Sequence, residues 1–244
     1  MTEQPTNSRP LLLGHRGVRA VKSIPENTLA SFDRALADGC DGFEFDVRLT
    51  EDEEAVICHD PTVGKLKIER TMAQQLPTLP RLRDVLKRYQ ANSFLDIELK
   101  VRGLERIMLD LFLRHKPRRG FVVSSFIPGV LKTFREQDKT VPLGLICETK
   151  TQLHYWTELP VEYVIPHHAL AEPELIRKIK GAGKKVIVWT VNDPADMQRF
   201  AESGVDGIIS DDPSLLRQTL ARKSRSGSGC HRAQSHKLVN EESR

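Results

Sequence analysis

Gly14-His15-Arg16-Gly17 closes the apolar run Leu11-Leu12-Leu13, Glu44-Phe45-Asp46 closes the next apolar-rich stretch, and His59-Asp60 follows. Two histidines, an arginine and two carboxylates thus fall in the first quarter of the chain. Metal-assisted cleavage of a phosphate ester needs such a set. Glu44 and Asp46 are spaced i, i+2, so on a strand both side chains point to one face. Carboxylates so placed repel each other unless a cation lies between them. Glu98, on a later apolar run, completes an all-oxygen set of the kind that suits Mg²⁺, Ca²⁺ or Mn²⁺ better than Zn²⁺. The alternative is an ordinary buried ion pair of Glu44 with Arg48 or Lys100.

His15 and His59 are the candidate acid and base, since imidazole titrates near neutral pH and breaking a phosphodiester takes one proton off and puts one on. Arg16 is planar and always charged, suited to a bidentate grip on a phosphate. Lys100 either neutralises a phosphoryl oxygen or pairs with Asp96 or Glu98. Trp189 reads as core or as part of the pocket mouth. His167-His168 is ambiguous, while His115, His154, His231 and His236 read as ordinary helical or tail residues. Two rival readings are a Schiff-base aldolase using Lys100 and a barrel that binds phosphodiesters without turning them over. The first is disfavoured because a lysine beside Glu98 and Asp96 stays protonated, the wrong state for a nucleophile.

The elements that must position these residues alternate along the chain. Strands are predicted at Leu11–His15, Gly42–Leu49, Phe94–Leu99, Phe121–Ser125, Pro142–Cys147, Tyr163–Pro166, Val186–Val191 and Gly207–Ser210. Helices are predicted to begin near Thr28, Leu82, Leu104, Gly129, Thr151, Pro173, Ala195 and Ser214. Caps or early prolines mark several starts: Asn27, Glu172-Pro173, Asp193-Pro194 and Asp212-Pro213. Most strands read as continuous apolar runs, as parallel strands buried on both faces do. Eight strand–helix units in a chain of 244 residues predict an α/β fold, a (β/α)8 TIM barrel. A doubly wound open sheet is the rival, but Gly14-His15-Arg16-Gly17 is not its G-x-G-x-x-G loop. Active sites of barrels lie at the C-terminal ends of the strands. His15, Arg16, Glu44, Asp46, Asp96, Glu98, Lys100, Ser124-Ser125, Glu148, His167-His168, Asn192 and Asp211 lie in or at the ends of their strands, where charge in an apolar run needs a reason. After the second strand, Ala55–Cys58 predicts an extension or hairpin, followed by a short excursion over the barrel mouth.

Composition excludes several classes. Hydrophobic residues make up 39% and charged residues 29%, ordinary for a globular protein. The formal charge of +4 sits in the tail: taking the six basic and two acidic residues after Ala221 from 37 and 33 leaves 31 of each in the body. A neutral body argues against nucleic acid as a partner. No apolar run reaches the ~20 residues of a membrane span. The polar start has no signal-peptide pattern, and four cysteines without framework spacing read as reduced thiols of a cytoplasmic protein. The expected organisation is a flexible N-terminus over 1–10, one domain over 11–221 and a disordered basic tail over 222–244.

Between about Leu11 and Pro213 the chain resembles the glycerophosphodiester phosphodiesterase family, of the bacterial cytosolic type. The resemblance is carried, in order, by Gly-His-Arg-Gly (14–17), Pro-Glu-Asn-Thr (25–28), Glu-x-Asp-Val (44–47), His-Asp-Pro (59–61) and Glu-Leu-Lys (98–100). Val-Trp-Thr-Val-Asn (188–192) and Gly-Val-Asp-Gly-Ile-Ile-Ser-Asp (204–211) complete it. It implies a barrel with one divalent cation on Glu44, Asp46 and Glu98, with His15 and His59 as acid and base. It places Arg16, Lys100 and Glu26 near a small-molecule phosphodiester, cleaved to an alcohol and sn-glycerol 3-phosphate. An Arg-Thr-Thr-x-Gly-like run of many members is reduced here to Glu69-Arg70-Thr71. The head group therefore stays open, with a lysophospholipid or another phosphodiester as the alternative substrate.

Overall fold

The computed structural model describes residues 9–226. Its strands are β1 (Leu11–Gly14), β2 (Gly42–Leu49), β3 (Ala55–Ile57), β4 (Thr62–Val63), β5 (Leu66–Lys67), β6 (Phe94–Leu99), β7 (Phe121–Ser125), β8 (Leu143–Cys147), β9 (Tyr163–Pro166), β10 (Lys185–Val188) and β11 (Gly207–Ser210). The helices are α1 (Leu29–Ala37), α2 (Leu82–Tyr89), α3 (Glu105–His115), α4 (Pro128–Gln137), α5 (Lys150–His154), α6 (Pro173–Gly181), α7 (Pro194–Glu202) and α8 (Pro213–Ser226). The parallel order β1-β11-β10-β9-β8-β7-β6-β2 closes when β1 also pairs with β2, which gives the eight-stranded barrel expected from the alternation.

The barrel strands begin within one residue of their predicted positions, but two end earlier. β1 stops at Gly14, where the chain turns at His15, and β10 stops at Val188, beyond which Trp189 keeps a single parallel bridge to His167. The stretch after β2 folds back as a hairpin: β3 pairs antiparallel to β2, with Val47 opposite Ile57. The excursion beyond it, including the β4–β5 hairpin, packs on β3 through Val56, Ile68 and Leu76.

β2 and β6 alternate rather than run continuously apolar. Phe43, Phe45 and Val47, with Leu95, Ile97 and Leu99, point outward into the layer under the helices. Glu44, Asp46, Asp96 and Glu98 take the inward positions. The lumen elsewhere is a packed plug containing Leu13, Phe94, Val122, Tyr163 and Ile187. On the outside, Phe32 of α1 stacks on Phe43 at 4.3 Å and Tyr89 of α2 meets Phe43 edge-on at 4.9 Å. Such pairs add roughly 0.5–1.5 kcal/mol each beyond their burial and fix both helices against β2.

Asp193 and Asp212 cap their helices as expected, accepting from the N–H groups of Ala195 and Leu215 at 2.8 and 2.9 Å. Glu172 makes no side-chain cap bond. Asn27 is not a cap either. Thr28 takes that role for α1, accepting from Ser31 N–H, and frees Asn27 for the site.

Helix α8 continues through Ser226, so the tail predicted to be disordered from 222 is helical over its first five residues; the remainder, 227–244 with Cys230, lies outside the described residues. The predicted flexible N-terminus likewise falls outside over 1–8, while Arg9 forms a two-point ion pair with Asp41 at 2.6 and 2.7 Å. Cys40, Cys58 and Cys147 are free thiols. Among the described residues no helix is long and apolar enough to cross a membrane.

Candidate active site

A cavity of about 330 Å³ opens at the C-terminal ends of the strands. One side of it carries His15, Arg16, Glu44, His59, Glu98 and Lys100; Asp96 lies in its lining, and Phe126, Ile146, Ile165, Trp189 and Ile209 form the apolar part. The β2–β6 register sets Glu44 beside Asp96 and Asp46 beside Glu98, which makes two rungs of carboxylates. Glu44, Asp46 and Glu98 each offer an oxygen within 4.8 Å of the others.

Burial and the charges of Asp46 and Glu98 push Glu44 well above the usual carboxylate range. Burial, reinforced by Asp46, pushes Glu98 up to about 7. Asp46 is held low despite its burial by Lys100, Arg16 and the amide of Asn27. Lys100 pairs with Glu98 at 2.7 Å and Asp46 at 3.3 Å, and Arg16 Nε stands 3.2 Å from Asp46. Two cations therefore face three clustered carboxylates; Lys100 is the cation near Asp46 Oδ1, and Glu44 Oε1 is buried without a hydrogen-bond donor. An orphaned hard oxygen beside two further carboxylates fits a divalent cation. The alternative pairing of Glu44 with Arg48 or Lys100 does not form: Arg48 instead donates twice to the His59 carbonyl, at 2.8 and 2.6 Å, and Lys100 is taken by Glu98 and Asp46.

Backbone conformation shapes the β1–α1 loop. Arg16 sits at φ 50°, a region costly for a non-glycine residue, followed by Gly17 at φ 82°. At Gly17 an added Cβ would come within 2.2 Å of Ser31 Oγ. This turn aims the Arg16 N–H at Glu44 Oε2, 2.9 Å away, and its guanidinium at Glu26, 2.6 Å away. Arg16 Nε makes no hydrogen bond beside its 3.2 Å ion-pair contact with Asp46. Glu26 does not line the cavity; it bridges Arg16 to Arg19, and Arg19 in turn reaches Asp211 at 3.0 Å.

His15 Nδ1 lies 2.7 Å from Asp211 Oδ1, and Asn192 donates to the other Asp211 oxygen at 2.8 Å. Burial opposes ionisation of Asp211, but the bonds from His15 and Asn192 and the charge of Arg19 hold its carboxyl far below the usual range. An ionised Asp211 can only accept, which assigns the proton to His15 Nδ1 and a lone pair to Nε2. Burial lowers the His15 pKa, so the ring is neutral near pH 7. Nε2 lies 3.9 Å from Glu44. His59 is the more exposed ring, with Nδ1 2.8 Å from Asp60, which leaves its Nε2 available to the cavity.

Trp189 lines the pocket, held by its indole N–H on the Ile165 carbonyl at 3.0 Å and edge-to-face with Phe126. His167 and His168 are not in the cavity lining; His167 packs against Trp189 from behind, with ring centroids 5.3 Å apart. Two residues, Asn27 and Arg19, were not singled out for the site by the sequence, and Asp211 stood at a predicted strand end without an assigned role. Asn27, at φ 58°, donates its amide to Asp46 at 2.8 Å. Arg19 and Asp211 back His15. Barrel closure, which places the end of β11 beside the end of β1, was the signal for Asp211.

A closed parallel barrel with acidic, imidazole and guanidinium groups converging at its C-terminal mouth has the parts to hold a divalent cation, grip an anion and move protons. The profile of the Glycerophosphoryl diester phosphodiesterase family matches residues 15–85 and 71–215, and the chain belongs to that family. A glycerophosphodiester phosphodiesterase of Caldanaerobacter subterraneus subsp. tengcongensis is 29% identical over 238 residues, covering 85% of this chain and 96% of that protein. The crystal structure of a glycerophosphodiester phosphodiesterase from Parabacteroides distasonis aligns with TM-score 0.79 and 26% identity, over 88% of this chain and 98% of that one. A phosphodiesterase of Oleispira antarctica, solved with the product sn-glycerol-3-phosphate, shares the fold at TM-score 0.76 and 24% identity, over 87% and 97% of the two chains.

Proposed function

We propose that the protein hydrolyses glycerophosphodiesters to an alcohol and sn-glycerol 3-phosphate, with a divalent cation on Glu44, Asp46 and Glu98 and with His15 and His59 exchanging the protons. The observation that carries this reading is the His15–Asp211 pair beside the acidic triad. It supplies a neutral imidazole, of fixed tautomer, next to a Glu44 oxygen that lacks a donor. The product bound by the Oleispira antarctica relative is consistent with it.

A bound cation would supply positive charge at the phosphoryl oxygens and at the attacking hydroxyl. Arg16 Nε and the Lys100 ammonium add charge on the same side, where pre-set donors stabilise a developing phosphorane most. His15 Nε2 removes the proton from the glycerol 2-hydroxyl. That oxygen bonds to phosphorus, the bond to the head-group oxygen breaks, and protonated His59 supplies the proton to the leaving alcohol. A cyclic 2,3-phosphate results. Water then attacks it as the histidines reverse roles: His59 takes a proton from water and His15 returns one to the departing 2-oxygen. Asp211 acts through His15 as a positioning residue. Trp189 and Phe126 pack the carbon skeleton.

A diester of propane-1,3-diol, which lacks the 2-hydroxyl, tests the route. The expected result is turnover below detection beside rapid cleavage of glycerophosphocholine, with the cyclic phosphate visible by ³¹P NMR in early glycerophosphocholine samples. Equal turnover of both diesters would show direct attack by water.

A further inference from the structure

We propose that Asp96 is the receptor for the terminal, C1 hydroxyl of the substrate's glycerol, and that it makes the enzyme select deacylated glycerophosphodiesters over lysophospholipids. This rests on the reading of the reaction above and names its substrate more narrowly.

Asp96 is 1% exposed. Its Oδ1 accepts the Ser124 hydroxyl at 2.6 Å, while Oδ2 has no hydrogen-bond partner although the residue lines the cavity. A buried oxygen left without a donor in a protein is uncommon and calls for an explanation. The acidic triad does not provide one: Glu44, Asp46 and Glu98 form the group able to share an ion among the described residues, and Asp96 is not part of it. In register it stands beside Glu44, two residues before Glu98 on β6. Two residues of strand cover ~6.6 Å, comparable to the reach of a phosphorylated three-carbon chain. Arg16 Nε and Lys100 Nζ contact Asp46 and Glu98, so a phosphate held by them stands at the Asp46–Glu98 rung and carries its far hydroxyl to the rung of Asp96, two residues away.

The surroundings fit a short carbon chain ending in a hydroxyl. Ile146, Ile165 and Ile209 are the apolar walls. They belong to the same packed cluster as Phe94, Val122 and Ile187, which fills the lumen. An anionic group is repelled by Asp96 and the neighbouring Glu44 and Glu98. A hydroxyl donates to a carboxylate and accepts from a carboxyl, so it pairs with Asp96 in either state. An ester at C1 has no proton to give, and its acyl chain meets the packed lumen.

The test compares kcat/KM for glycerophosphocholine, for its propane-1,2-diol analogue (2-hydroxyl kept, C1 hydroxyl replaced by hydrogen) and for 1-acyl lysophosphatidylcholine. Wild-type enzyme is expected to favour glycerophosphocholine over the analogue by at least ~10²-fold, because a site built for a hydroxyl is left unpaired without it. Lysophosphatidylcholine should be poorer still. Asp96→Ala should bring glycerophosphocholine and the analogue to within about threefold of each other, and Asp96→Asn, which keeps an acceptor oxygen, should restore part of the preference. Comparable wild-type use of the analogue or of the lysolipid would overturn the proposal, and so would an Asp96→Ala loss equal for both diesters. No turnover of glycerophosphocholine by wild type would overturn the underlying reaction as well, an outcome distinct from unselective turnover.

Discussion

His15→Ala is expected to lower kcat on glycerophosphocholine by on the order of 10²–10⁴, the usual worth of one proton-transfer group. The more telling companion is Asp211→Asn. The carboxylate fixes the Nδ1–H tautomer at 2.7 Å. An asparagine amide would donate to Nδ1 instead, moving the ring proton to Nε2 and removing the lone pair that must take the hydroxyl proton. A fall in kcat of at least ~10²-fold, with KM changed far less, is therefore expected although no atom facing the substrate is altered. The new side-chain carbonyl still accepts from Asn192, while Arg19, which donates to the oxygen replaced by the amide, loses that bond; circular dichroism should stay the same and the melting temperature should fall only modestly. Wild-type kcat in Asp211→Asn would show that the pair does not set the tautomer.

Cation binding is the second large effect. Calorimetric titration with Ca²⁺ or Mn²⁺ should give one site per chain, and Asp46→Asn should weaken it by roughly 10²-fold or more, since cation affinity follows the charge and rigidity of the ligand set. The sign of the pH dependence follows from the carboxyls. In the cation-free site burial and like charge hold Glu98 at about 7 and Glu44 well above its ordinary value of 4.5. Below about pH 7 the cation must displace protons, so affinity should fall by at least about tenfold per pH unit as acid is added, with protons released on binding. For the cation-free protein the same raised values make folding favour the protonated forms. Stability from these groups is complete below about pH 4.5 and is lost as the pH rises through 7. Added cation should restore the melting temperature at pH 8. A pH-independent affinity, or full binding by Asp46→Asn, would place the ion elsewhere.

Much of this site was legible because its residues sit at strand ends with little sequence between motif and chemistry. Glu44 and Asp46 share a face by strand period alone, and the parallel pairing of β2 with β6 then brings Glu98 to them. What stayed hidden depends on contacts across the whole chain or on single backbone angles. Asp211 stood at a predicted strand end, but its bond to His15, 196 residues away, follows only from closing the barrel so that β11 lies beside β1. Asn27 looked like a helix cap, one residue from the true cap Thr28; only its positive φ turns the amide toward Asp46. Asp96 looked like a counter-ion for Lys100. The structure gives that lysine to Glu98 and Asp46 and leaves Asp96 facing the cavity with one oxygen unpaired.

The most direct measurement is release of sn-glycerol 3-phosphate from glycerophosphocholine, followed by a coupled dehydrogenase, on one enzyme preparation treated with EDTA and then resupplied with Mg²⁺, Ca²⁺ or Mn²⁺. The account predicts release that EDTA abolishes, that at least one of these cations restores, and that His15→Ala reduces to near background. Undiminished release in EDTA, or release of choline phosphate and glycerol in place of sn-glycerol 3-phosphate, would contradict it.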